Sequence, residues 1–251
     1  MFRQSIACLP VCLALMAASA HAGVIYATGF ESPTFSLGQV NGQDGWAAFG
    51  SPGAGTVQNT VAASGTQALR VDGSVGSQSG PYYTTTTAAT SLLVSADLLI
   101  SSASTQSSWQ FAGLGAGLIG FAGGIDISGT SIQSITAGYP VIGTLQRDVW
   151  NHIDLYFDFD LQQTTIVLNG STLAAGVAFC GDNGPCTGAP VTSLRTVIFD
   201  SFGGGQDAGY LDNFSISTVP EPGTLALVCA ALMVATHARR GRAGQAARRD
   251  A

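Results

Sequence analysis

Short bursts of alternating apolar and polar residues fill the chain from Gly23 to Thr218. The clearest is Trp150-Asn-His-Ile-Asp-Leu-Tyr-Phe-Asp-Phe-Asp160. A period of two places Ile153, Leu155, Phe157 and Phe159 on one face and His152, Asp154, Tyr156 and Asp158 on the other. Similar runs rich in β-branched and aromatic residues predict strands near 24–30, 56–61, 67–71, 82–86 and 92–100. Further strands are predicted near 109–114, 125–128, 132–136, 150–159, 165–168, 195–202 and 210–217. Gly, Ser, Thr and Asn separate them, Asn169-Gly170 reads as a tight hairpin, and no long helical period appears. The pattern predicts an all-β, antiparallel β-sandwich over 23–218.

Both ends break this pattern. Arg3 precedes an apolar stretch from Ile6 to Ala18, and Ala20-His21-Ala22 offers small residues for cleavage. Residues 1–22 therefore read as a secretory signal peptide. At the other end Pro220-Glu221-Pro222 is followed by an apolar stretch over 224–236 and a basic end, 237–251, with Arg239, Arg240 and Arg242. The prolines stop the last strand and hold the region extended. The eleven apolar residues from Leu225 to Ala235 would span roughly 16 Å as a helix, against about 30 Å of hydrocarbon. A tail-anchored membrane protein and a buried helix with a basic end are the alternatives on these residues alone. The order of motif, apolar helix and arginines at a C-terminus resembles the PEP-CTERM sorting tail of Gram-negative bacteria, here over 219–251. The resemblance implies an exosortase as partner, transient anchoring at the inner membrane, and delivery to the cell surface or extracellular matrix. The chain runs on past the arginines to Ala251.

Charge narrows the possible partners. The chain has no lysine, and 23–218 holds three arginines against twelve aspartates and one glutamate, a formal −10. So acidic a domain is ill suited to nucleic acid, which needs a basic patch. Neutral glycans and calcium suit it better. Two cysteines remain in this region, Cys180 and Cys186, around the turn-forming Gly181-Asp-Asn-Gly-Pro185. Their spacing and an oxidising destination lead us to expect a disulfide.

Gly115-Ala-Gly-Leu-Ile-Gly120 fits a dinucleotide fingerprint, but no βαβ unit surrounds it, so glycine-rich strands or turns are expected. A glycosidase needs two carboxylates about the scissile bond. Asp154 and Asp158, four apart on one strand, would sit roughly 13 Å from each other. His152, Asp154 and a serine would make a triad only with a nucleophile elbow, which is absent. No enzyme activity is expected. For sugar binding, Tyr82 and Tyr83 in a loop-like setting, and Tyr156 between Asp154 and Asp158, are the candidates, whereas Trp46 and Trp150 are expected to pack. Asp212 is expected to share a face with the core-directed Phe214 and Ile216. A carboxylate at a core edge needs pairing or a cation, and cationic side chains are scarce.

Three motifs bear on the kind of sandwich. They are the strand from Trp150 followed by one ending at Asn169-Gly170, the opening Gly29-Phe-Glu-Ser-Pro33 with Gly42-Gln-Asp-Gly-Trp46, and the closing Tyr210-Leu-Asp-Asn-Phe214. The first resembles laminin-G and concanavalin A-like lectin and glucanase sandwiches. The others resemble the first and last strands of carbohydrate-binding jelly rolls. The resemblance implies an exported, weakly polysaccharide-binding module, with a purely structural surface protein as the first alternative and a carbohydrate-active enzyme as the second. It also implies a structural calcium shared by Glu31 and Asp212. The paired glutamates of the glucanases are missing, since 23–218 has one glutamate.

Overall fold

A computed structural model describes residues 22–219, except 51–53, 74–77, 86, 88, 103–106, 116–119, 180–189 and 204–206. The signal peptide, the Pro220-Glu221-Pro222 motif, the arginine cluster and the Cys180–Cys186 pair all lie outside the described residues. Gly23–Thr218 forms one compact unit. Its described residues hold sixteen strands and no helix.

Two antiparallel sheets make a β-sandwich. The nine-stranded sheet runs β14 (Ser171–Ala178), β13 (Gln163–Leu168), β12 (Asn151–Asp158), β7 (Ser91–Ile100), β16 (Ala208–Thr218), β5 (Ala68–Asp72), β4 (Thr56–Gln58) and β2 (Gly38–Gln39). In it β1 (Val24–Thr28) also pairs with β16. The seven-stranded sheet runs β11 (Val141–Thr144), β10 (Ser131–Ser134), β9 (Phe121–Ser128), β8 (Ser108–Gly115), β15 (Leu194–Phe202), β6 (Gly80–Thr84) and β3 (Trp46–Phe49).

The core lies between the sheets. Alternation delivers Leu92, Val94, Ala96, Leu98 and Ile100 from β7 and Ile153, Leu155 and Phe157 from β12. They join Trp109, Phe111, Ile125, Ile127 and Phe199 of the facing sheet, all buried. Each such side chain contributes about 1.5–3 kcal/mol on burial. The sheets approach so closely at Gly209 that a Cβ there would lie 2.5 Å from Trp109. Asn169 and Gly170, both at positive φ, close the β13–β14 hairpin in the two-residue form the sequence predicts. Gly115–Gly120 belongs to the antiparallel β8–β9 connection, where the Gly115 N–H donates to the Gly120 carbonyl at 3.0 Å.

Four strands were not predicted: β2, β3, β11 and β14. They are the two ends of each sheet. An edge strand pairs on one side only, so its residues need not alternate strictly to keep a buried face. β14, Ser-Thr-Leu-Ala-Ala-Gly-Val-Ala, is largely exposed or half-buried, and the hairpin fixes its place.

Candidate functional site

A continuous polar strip crosses the outer face of the nine-stranded sheet. It starts at Asn213 on β16, whose Nδ2 donates to Oδ2 of Asp97 on β7 at 2.7 Å. Oδ1 of Asp97 lies 2.7 Å from Nδ1 of His152 on β12, and Nε2 of His152 lies 3.2 Å from Oδ1 of Asp154. The Ser95 hydroxyl donates to that same oxygen. Register produces this arrangement, because Asp97 stands opposite His152, and Ser95 opposite Asp154. Burial lowers the His152 pKa, but the hydrogen bonds and charges of Asp97 and Asp154 outweigh it and hold the imidazole above its ordinary value.

Tyr156 stands next on the same face, opposite Leu93 and Thr165, with 37 % of its surface exposed. Burial and then the Asp154 charge push its phenol up. At the other end of the strip, Ala27, Thr28, Gly29, Asn213, Phe214 and Ser215 line a shallow, open recess of about 370 Å³. The strip thus combines an aromatic plane, carboxyl acceptors, donors and an open surface. The triad geometry is not met by these residues, since Ser95 bonds to Asp154 and not to His152.

The other candidates are dispersed. Tyr82 and Tyr83 sit within β6 and not in a loop, so the pleat sends them to opposite faces. Tyr83 turns inward and stacks on Tyr26 with centroids 4.0 Å apart, beside Trp46 and Phe214. Tyr82 lies on the outer face of the seven-stranded sheet, against Ile198 and Ala112. Asp158 caps the turn after β12, accepting the N–H groups of Asp160 at 3.1 Å and Leu161 at 2.8 Å. Trp46 is buried, as expected.

Asp212 occupies a different position from the one its spacing predicts. A bulge between Asp212 and Ser215, with Asn213 at φ 49°, shifts the phase of β16. Leu211, Phe214 and Ile216 therefore enter the core cluster. Asp212 stands where the neighbour of β16 changes from β5 to β1. There its Oδ2 accepts the N–H groups of Ala63 at 2.9 Å and Ser64 at 3.1 Å, and Oδ1 that of Asn213 at 2.7 Å. Glu31 clamps the next part of the same loop. Its Oε1 accepts from the N–H groups of Thr66 at 2.7 Å and Gln67 at 2.9 Å, and Oε2 from the Thr66 hydroxyl at 2.7 Å. The Gln67 amide and the Thr66 hydroxyl lower the Glu31 pKa, whereas burial raises that of Asp212 against its three amide donors. Gly29 links the two, since a Cβ there would lie 3.5 Å from Oδ1 of Asp212 and 3.8 Å from Cγ of Glu31. Two carboxylates are the donor type a calcium ion takes. The amides occupy most of their acceptor positions, leaving room chiefly on Oδ1 of Asp212 and Oε2 of Glu31.

Sequence reasoning passed over Asp97 and Asn213, which carry no signal until strand register sets them beside His152. It also passed over a buried ion pair at Asp207, just ahead of β16. Nη1 of Arg147 lies 3.2 Å from Oδ2 of Asp207 and donates to the Ser101 carbonyl at 2.8 Å. Nε donates to the Gly129 carbonyl at 2.7 Å, and Trp109 Nε1 donates to Asp207 Oδ2 at 3.0 Å.

Comparison with known proteins agrees with this architecture. The chain is similar to the solved structure of a cellulose-induced protein, Cip1, at 15 % identity and a TM-score of 0.56, covering 77 % of this chain and 97 % of that one. A structure from a study of endo-acting O-glycanases of the human gut microbiota that initiate mucin breakdown gives 8 % identity and a TM-score of 0.54. It covers 78 % of this chain and all of that one. A sialidase gives 12 % identity and a TM-score of 0.52 over 70 % of this chain, which spans only 17 % of the sialidase. These likenesses establish a jelly-roll β-sandwich. No protein-family model and no curated protein matches the chain.

Proposed function

We propose that this protein is an exported, non-catalytic β-sandwich that holds a neutral polysaccharide weakly on the outer face of its nine-stranded sheet. The observation that carries the reading is the open strip Asn213–Asp97–His152–Asp154 beside Tyr156. Vicinal sugar hydroxyls both donate and accept, which matches alternating carboxylates, imidazole and amide. The apolar face of a pyranose matches the tyrosine ring. The formal −10 of 23–218 works against polyanionic glycans. A flat strip encloses little of its ligand, so binding is weak.

Affinity electrophoresis in gels containing neutral polysaccharides tests this directly. At least one should retard the protein, and Tyr156→Ala should weaken that binding about three- to tenfold, or roughly 0.7–1.4 kcal/mol. Tyr82→Ala, on the opposite sheet, should leave it unchanged. Retardation by no polysaccharide would favour the alternative of a purely structural surface protein.

The proposal extends to sorting: the 219–251 tail directs the protein through an exosortase to the cell surface or extracellular matrix. The motif and its order in the sequence support this. Deleting 220–251 should leave a folded domain and abolish processing and surface retention, followed by immunoblot of cell fractions. Unchanged processing of the truncated protein would remove the sorting role.

A further inference from the structure

A second polar group lies on the outer face of the seven-stranded sheet, separate from the strip. Asp200 on β15 stands opposite Gln110 on β8, and Gln110 opposite Asp126 on β9. Directly opposed residues project from the same face, so these three side chains form a row across three strands. Their sequence neighbours Trp109, Phe111, Ile125, Ile127 and Phe199 point the other way, into the core. Gln78, just ahead of β6, completes the group. Its Nε2 donates to Oε1 of Gln110 at 3.2 Å and to Oδ2 of Asp200, while Nε2 of Gln110 reaches Oδ2 of Asp126 at 3.4 Å.

The row is deep. Asp200 is 0 % exposed, and Asp126 and Gln110 are each 6 % exposed. Oδ1 of Asp200 is buried and has no hydrogen-bond partner among the described residues. Among the described residues no ion pair reaches either carboxyl: Arg70 engages Asp72, Arg147 engages Asp207, His152 lies in the strip, and Arg195 on β15 is exposed and paired with neither. Two buried carboxylates without a counter-charge are strongly unfavourable, so a proton or a cation has to neutralise them. Burial raises both. Asp200 is pushed up to about 7, with the Gln78 bond opposing and the Asp126 charge adding to the rise.

We propose that Asp126 and Asp200, with the side-chain carbonyls of Gln110 and Gln78, bind a divalent cation of the calcium class on this face. The donors are all oxygen, which selects a hard ion over zinc or copper. Two strand spacings set the aspartate backbones about 10 Å apart, with Gln110 midway between them as the central ligand. Rotating the Gln78 amide alone about its soft terminal torsion brings its Oε1 to Oδ2 of Asp200 and beside Oε1 of Gln110. Gln78 is solvent-exposed and gives the ion a way in. The chain has no lysine to supply the charge internally.

The experiment is calorimetric titration of the purified protein with calcium chloride, together with melting in calcium and in EDTA. Wild type, Asp126→Asn, Asp200→Asn and Asp212→Asn are compared. Wild type should melt several degrees higher at a hundredfold excess of calcium over Kd. Asp126→Asn and Asp200→Asn should each weaken this binding at least tenfold. Both should melt at or above wild type in EDTA, because an uncompensated charge is gone. Asp212→Asn, on the other sheet, should keep the binding event. Asp126→Asn, at the shallower end of the row, carries the test if Asp200→Asn does not fold. Wild-type-like calcium binding by the asparagine variants would overturn the proposal. So would a wild type that is stabilised by acidification through pH 7 yet indifferent to calcium, since a proton would then fill the role.

Discussion

Replacing Arg147 with methionine is expected to destabilise the domain by about 3–5 kcal/mol, the usual consequence of leaving one partner of a buried ion pair alone. Both side chains are almost wholly buried. The substitution strands the Asp207 carboxylate and also removes donors from the Ser101 and Gly129 carbonyls. At roughly 2–4 °C per kcal/mol the melting temperature should fall by about 6–20 °C. Circular dichroism melts would measure it, and a loss below about 1 kcal/mol would overturn this reading of the pair. A double variant supplies the internal control. Adding Asp207→Asn removes the stranded charge while keeping an acceptor for Trp109, and should recover at least half of the loss.

The second large effect concerns Asp212. Asp212→Ala removes the acceptor for three backbone N–H groups, on half-buried Ala63 and exposed Ser64 and Asn213, at the place where β16 changes partner. Hydrogen bonds to a charged acceptor contribute about 1.5–3 kcal/mol each, but water partly replaces the acceptor for donors this accessible, so a total loss of about 2–3 kcal/mol is expected. Urea unfolding would show it as a lowered midpoint with an unchanged slope. Calcium is decided by a separate arm. If Glu31 and Asp212 also share an ion, EDTA should lower the wild-type melt by several degrees, and Asp212→Asn should lose the part of that response that the Asp126–Asp200 site does not supply. An EDTA response that Asp212→Asn keeps in full would assign it to another site and leave Asp212 as an amide clamp for the 63–67 loop.

The two carboxylates show how far local pattern reaches. Glu31 and Asp212 stand out in the sequence as an isolated glutamate and an acid beside core residues. Nothing local shows that both hold one loop. Asp212 was assigned to the face of Phe214 because a period of two was carried through β16, whereas the bulge at Asn213 breaks the phase. A bulge has no sequence signal strong enough to override alternation, and here it falls where the neighbour of β16 changes from β5 to β1.

By itself, the sequence determined the all-β class and the central strands. β7, β8, β12, β15 and β16 are flanked by partners and covered by the core, so burial imposes alternation that can be read directly. It also determined the Asn169-Gly170 hairpin, where two positive φ angles select those residues. The four sheet ends were decided by tertiary structure, because a strand paired on one side is specified by its neighbour more than by its own pattern. Tertiary structure alone also decided the polar sites. Asn213, Asp97 and His152 come from three different strands, as do Asp200, Gln110 and Asp126. Register across the sheets brings each set together, and register is a relation between distant segments that no local run of residues contains.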